Sequence, residues 1–193
     1  MTALVWLRCD LRTRDNPALS AALENGPAIA VYDIAPAQWR AHDDSPAKVD
    51  FWLRNLRDLS DTLHAMGVPL KILNGEDWAD TADRMLTFCR GHAVEQVHVN
   101  AEWGLNERRR DEQVAQRLND AGIDWQVHHG ATLLSPGSVL TGKGEPYKVF
   151  TPYARACRER LRTAHIAPAR RSGTRQPSPC ERDSIPNGVA GYD

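Results

Sequence analysis

Cysteine is scarce in this 193-residue chain: the four present, Cys9, Cys89, Cys157 and Cys180, lie far apart and form no C-x-x-C pair. That argues against a zinc ribbon or a dithiol redox motif and fits a reducing, cytoplasmic setting. No apolar run approaches the ~18 residues of a membrane-spanning helix. The run Ala3–Leu7 is also too short, and too soon followed by Arg8 and Asp10, to serve as a signal sequence. Seven histidines occur, but none in an H-E-x-x-H or clustered spacing, so no metal site is expected. Excess charge is missing as well. A net charge of -1 and a pI near 6.7 argue against a surface that is nucleic-acid footprint throughout, while leaving room for a local basic patch. There is no internal repeat and no membrane partner is implied; the expectation is a monomeric α/β domain with an appendage.

What is present reads as strands alternating with helices. Ala3–Leu7 has the compact apolar character of a buried parallel strand. Asn16-Pro17 gives a cap and a first-turn proline for a helix running through Leu19 and Leu23 to a stop at Asn25-Gly26. A second strand, Ala28–Tyr32, leads to a loop carrying Trp39 and His42, and Ser45-Pro46 repeats the cap signal. Val49, Trp52, Leu56, Leu59, Leu63 and Met66 then share one helical face, which Gly67 ends. Val68–Leu73 is the third strand, Asp77 is expected to cap a helix reaching Gly91, and Val94, Val97 and Val99 mark the fourth strand. After a turn at Gly104, Asn106 is expected to cap a helix bearing Val114 and Leu118; Gly122 closes it, and Ile123–Val127 is the fifth strand.

This alternation predicts a five-stranded, parallel, doubly wound (Rossmann-like) sheet with helices on both faces over residues 1–131. In one common order of such sheets, strand 4 returns beside strand 1 and opens a crevice between the segment Arg8–Asp15 and the turn at Asn106. Residues 132–164 read as a Gly/Pro-rich loop and one more helix, starting at Thr151-Pro152, that pack on the domain. Residues 165–193 have almost nothing to bury and read as a linker or tail.

Several side chains could carry chemistry. Gly137–Lys143 (GSVLTGK) matches the start of a phosphate loop, but Gly144 stands where Ser or Thr would ligand magnesium and no helix follows directly, so it reads as a surface loop. His98 fits a hydrogen-bonded structural imidazole, and His42 is the better ligand candidate. Arg8, Asp10, Arg12, Arg14 and Asp15 read mainly as an ion-pair network. Glu107 suits a helix first turn, but Arg108, Arg109 and Arg110 oppose the helix dipole there. Either Glu102, Asp111 and Glu112 or an outside partner must compensate. The basic run Arg155, Arg158, Arg160, Arg162, Arg170, Arg171 and Arg175 reads as a solvated helix face and linker.

Three segments, in order, carry a resemblance: Trp6–Asn16 (WLRCDLRTRDN), Asn106–Asp111 (NERRRD), and Pro136–Gly142 (PGSVLTG) followed by Tyr147–Pro152 (YKVFTP). Together they resemble the N-terminal half of DNA photolyases, most closely the folate-antenna cyclobutane pyrimidine dimer type, and the likeness extends over the whole chain. The departure inside these motifs is Leu7, where phenylalanine is usual.

The resemblance implies an antenna domain that binds methenyltetrahydrofolate, its pterin contacted by Asn106 and Glu107, with His42 nearby. Excitation would pass to reduced FAD, which then donates an electron to a dimer flipped out of DNA. FAD, the DNA-binding face and the second wall of the pterin site belong, by this likeness, to a helical domain absent from the chain. Catalysis by this polypeptide alone is therefore not expected. Alternative readings are the antenna domain of a cryptochrome-like blue-light photoreceptor and a general nucleotide-binding α/β module.

Overall fold

The computed structural model describes residues 2–24, 26–163, 168–169 and 180–192. Five parallel strands, β1 (Thr2–Leu7), β2 (Ala28–Ile34), β3 (Leu70–Asn74), β4 (Val94–Asn100) and β5 (Asp124–His128), form one sheet in the order β3-β2-β1-β4-β5. All four pairings are parallel, with Val5 opposite both Ala30 and His98. The connecting helices are α1 (Pro17–Ala22), α2 (Pro36–Ala41), α3 (Pro46–Ala65), α4 (Thr81–Gly91) and α5 (Leu105–Asn119), and α6 (Phe150–Thr163) follows β5.

The period-2 alternation of side chains along a strand divides the core into two layers. Ala3, Val5 and Leu7 of β1 pack with Leu19 of α1 and Leu53, Leu56 and Leu63 of α3. Leu4 and Trp6 face the other way, against Met85 and Leu86 of α4 and Val114 and Leu118 of α5. Burying each such leucine contributes about 1.5–3 kcal/mol. The doubly wound expectation therefore stands, including the return of β4 beside β1.

Local signals explain most boundaries. The Asn16 side chain accepts from the Leu19 amide and the Ser45 side chain from that of Lys48, each with proline in the first turn behind it. Gly67 and Gly122, at φ of +80° and +77°, let the chain leave α3 and α5 through left-handed turns.

Four expectations are corrected. The segment holding Trp39 is helix α2 rather than loop; six residues with one buried apolar side chain are too few to display a period. Helix α4 starts at Thr81, because the Asp77 carboxylate accepts from the Ala79 amide two residues on and forms a turn ahead of the helix. Gly104, not Asn106, is the N-cap of α5. On α3 the innermost ridge carries Leu53, and Trp52 is only partly buried.

The far end of the chain also differs from expectation. The predicted linker residues 165–167, 170–179 and 193, like the predicted stop at Asn25 and the basic residues Arg170, Arg171 and Arg175, lie outside the described residues. Residues 180–192, however, bind along the outer edge of β3. The Asp183 amide donates to the Leu70 carbonyl (2.9 Å), the Asp183 carboxylate accepts from the Ile72 amide (2.9 Å), and Arg57 donates to the Pro186 carbonyl (2.9 Å). Val189 and Tyr192 are buried in the α3-side core. This segment satisfies an edge that would otherwise offer unpaired amides to another strand. By contrast, no residue of α6 is buried; Arg160 ties it to the Ser138 carbonyl (2.6 Å). None of the described helices is long and apolar enough to cross a membrane.

One close approach fixes the loop after β5. A Cβ on Gly130 would lie 2.8 Å from both Asn100 Oδ1 and Pro17 Cδ, and Asn100 cannot move aside. Its amide donates to Asp10 (2.5 Å) and to the Asn16 side chain (2.7 Å), while its oxygen accepts from the Ala18 amide (3.3 Å). Gly130→Ala is expected to cost about 1–3 kcal/mol, seen as a lower urea midpoint at unchanged slope. Gly142→Ala, with nothing within 4 Å of the added carbon, serves as the neutral control.

Candidate functional site

Where the chain turns from building the sheet toward β3 to building it toward β5, the loops after β1 and β4 part. In open α/β sheets ligands bind in such crevices, outside the carboxyl ends of the strands. A cleft of about 240 Å³ lies here. Its floor is Trp6, Leu7, Arg8 and Cys9 from the end of β1 with Tyr32 and Asp33 from β2. Its walls are Trp39 and His42 from α2, Lys48 and Trp52 from α3, and Trp78, Glu102, Glu107 and Arg110.

Beneath the cleft sits a compact charge cluster. Arg110, 5% exposed at its side chain, contacts Glu102 at 2.6 Å and Asp111 at 2.7 Å. Arg8 pairs with the same two carboxylates at 3.6 and 3.5 Å and also donates to the Asn100 carbonyl. Aromatic faces complete the enclosure, with the Arg110 guanidinium 4.7 Å from the Trp6 ring and 4.5 Å from the Trp78 ring. The chain itself thus supplies the acids that the arginine-rich first turn of α5 demands, from Glu102 and Asp111 for Arg110 and, more weakly at 3.9 Å, from Glu112 for Arg108.

The electrostatics favour holding a ligand over attacking one. Burial alone would raise the Glu102 pKa, but Arg8 and Arg110 beside it keep the carboxyl below its ordinary range. Burial raises the Asp33 pKa against the opposing pull of Arg84 (2.9 Å) and the Thr81 hydroxyl (2.9 Å). Crowding by the walls, then Glu102, pushes the Cys9 thiol up to about 12 although its outer edge is exposed, so the nucleophilic thiolate is scarce at neutral pH.

The predicted site residues separate on this geometry. His42 closes α2, and its ring meets Trp78 edge-on with centroids 5.4 Å apart. Glu107 stands in the first turn of α5 and folds back over Gly104, where an added Cβ would fall 1.9 Å from its carboxylate oxygen. Both line the cleft, and among the described residues Glu107 has no ion-pair partner. Asn106 is exposed and does not line it. Sequence reading missed Trp39, Trp52, Trp78 and Lys48 as wall residues. Their signal was four tryptophans, with Trp6, distributed over four different segments, a pattern that means nothing until the segments meet.

A flat, hydrogen-bonding heterocycle suits this lining. Indoles offer stacking faces and Glu107 is an acceptor.

An α/β domain with a cleft at the switch point of a parallel sheet is the class that fold and site define. Residues 3–173 match the DNA photolyase family, and the chain belongs to that family, corresponding to its N-terminal domain. It is 40% identical over 154 residues to the deoxyribodipyrimidine photo-lyase of Vibrio cholerae, covering 79% of this chain and 33% of that protein. To the photo-lyase of Escherichia coli it is 37% identical over 188 residues, covering 92% and 39%. The chain therefore spans little more than a third of the length of these relatives. The crystal structure of a Synechocystis cryptochrome shares the fold at a TM-score of 0.78 and 21% identity, covering 99% of this chain and 40% of that one.

Proposed function

We propose that this chain is the light-harvesting part of a deoxyribodipyrimidine photolyase, which repairs cyclobutane pyrimidine dimers in DNA by light-driven electron transfer from reduced FAD. The observation that carries the reading is the convergence of His42 and Glu107, far apart in sequence, on one aromatic-walled cleft. Bound there, methenyltetrahydrofolate supplies absorption of near-UV and blue light. The chain's own residues do the rest. Glu107 accepts hydrogen bonds from the ring's amino edge, the tryptophans exclude water, and His42, braced on Trp78, closes one side. Asn106, one position from Glu107 but outside the cleft, touches the ligand from the rim.

In this reading residues 1–131 bind the antenna, the loop and helix of 132–164 pack on that domain, 165–193 are the linker toward a helical flavin domain, and DNA is reached through that flavin domain. Flavin chemistry lies with that domain. Adding methenyltetrahydrofolate to the full-length protein is expected to produce bound-ligand absorbance in the near-UV. Glu107→Ala should weaken that binding about tenfold, the scale of one hydrogen bond to a charged group. An unchanged affinity would remove Glu107 from the site, and a larger loss in Asn106→Ala than in Glu107→Ala would move the ligand out of the cleft.

The second reading is the antenna domain of a cryptochrome-like blue-light photoreceptor, supported by 29% identity over 154 residues to Cryptochrome-2 of Arabidopsis thaliana. Flavin photoreduction without repair of thymine dimers would decide for it.

A further inference from the structure

The outer wall of the cleft is not built by the sheet and its helices alone. Trp39 packs edge-on against Tyr192, with centroids 5.9 Å apart at 72°, and on its other side against Trp52 at 5.5 Å. Tyr192 lies at the far end of the chain, in the segment stapled along β3 by Asp183 and along α3 by Arg57. Val189 is buried beside it, and Arg40, next to Trp39, reaches the Ala190 carbonyl at 3.5 Å. Gly191, at φ +85°, makes the bend that turns Tyr192 inward. Trp39 thus has the cleft on one side and this returning segment on another, and α2 has only six residues and no side-chain N-cap to hold it there.

We propose that residues 189–192 act as a strap that fixes Trp39 as a wall of the cleft, which makes Tyr192 a positioning residue for the flat ring bound there. The consequence for the ligand rests on the antenna reading above; the placing of Trp39 does not. The tyrosine acts through its ring and not its hydroxyl, because that hydroxyl is buried without a partner among the described residues.

Fluorine NMR of 5-fluorotryptophan-labelled full-length protein tests this, with the Trp39 resonance assigned by Trp39→Phe. In Tyr192→Ala the Trp39 resonance is expected to shift and broaden, and affinity for methenyltetrahydrofolate to fall about tenfold, the upper range of one lost aromatic pair. Tyr192→Phe is expected to restore both, a rescue that general loosening of the chain end would not give. An unmoved Trp39 resonance in Tyr192→Ala overturns the proposal, as does a moved resonance with unaltered affinity. If the unsubstituted protein takes up no folate, the antenna reading falls by itself, and the Trp39 resonance still decides the strap.

Discussion

Arg110→Ala is expected to destabilise the domain by about 3–5 kcal/mol, the cost of removing one partner from a buried ion pair and leaving the other unpaired. Glu102 and Asp111 would then share a half-buried pocket with Arg8 alone, and Trp6 and Trp78 would lose the guanidinium between them. For a domain of this size each kcal/mol lowers Tm by about 2–4 °C, so a drop of roughly 10 °C is expected by calorimetry. Arg108→Ala, an exposed change at a 3.9 Å pair, should stay within about 0.5 kcal/mol. Arg110→Lys should recover only part of the loss, since an ammonium cannot serve two carboxylates and two ring faces with one planar group. Equal effects at positions 108 and 110 would contradict the charge cluster as the support of the cleft floor.

Acid should destabilise the fold through a buried histidine pair. His98 Nδ1 and His128 Nε2 are 3.0 Å apart across β4 and β5, a hydrogen bond that requires at least one neutral ring. His98 is 6% exposed, and burial, then the neighbouring His128, lowers its pKa from 6.5 to about 4, against a weaker opposing pull from Asp124. Burial lowers the His128 pKa too, with Glu24 opposing the shift and His129 adding to it. A histidine with a depressed pKa in the folded state is protonated first in the unfolded chain. Its contribution is therefore full above pH 6.5 and is lost as pH falls toward about 4. At about pH 5 the loss from His98 alone is on the order of 2 kcal/mol. Urea unfolding at several pH values should show this slope, and His98→Gln should flatten it. A stability unchanged between neutral pH and about pH 5 would contradict the buried pair. Glu102, held below its ordinary range by Arg8 and Arg110, adds a further loss only at lower pH.

Much of the fold was legible because its signals are local. Asn16-Pro17 and Ser45-Pro46 each satisfy an amide and preset a first turn within a few residues, and the spacing of Leu56, Leu59 and Leu63 declares one face of α3 without reference to anything else. The strand order was not written in the sequence: alternation and right-handed crossovers allow more than one doubly wound order, and β4 beside β1 is the common one that the structure adopts. What escaped was short or contextual. Helix α2 is too brief for a period, and the turn formed by Asp77 resembles a cap one residue at a time. The segment 180–192 looked bare because its hold on the domain is one main-chain bond and the Asp183 carboxylate at an open strand edge, the Arg57 contact and two buried side chains, which composition does not register.

For the site, the sequence by itself singled out the turn at Asn106 and Glu107 as a candidate ligand corner, and determined the need for acids to balance Arg108–Arg110 and, through its motifs, the family. Only the tertiary structure decided which acids answer, that Glu107 faces the cleft while its neighbour Asn106 does not, and that Trp6, Trp39, Trp52 and Trp78 share one wall system with a residue from the end of the chain. The physical reason is one of range. Caps, periods and turns are fixed by groups within about one helical turn of each other. A cleft is made where distant segments are brought together by burying other faces, and nothing in the spacing of its residues records that meeting.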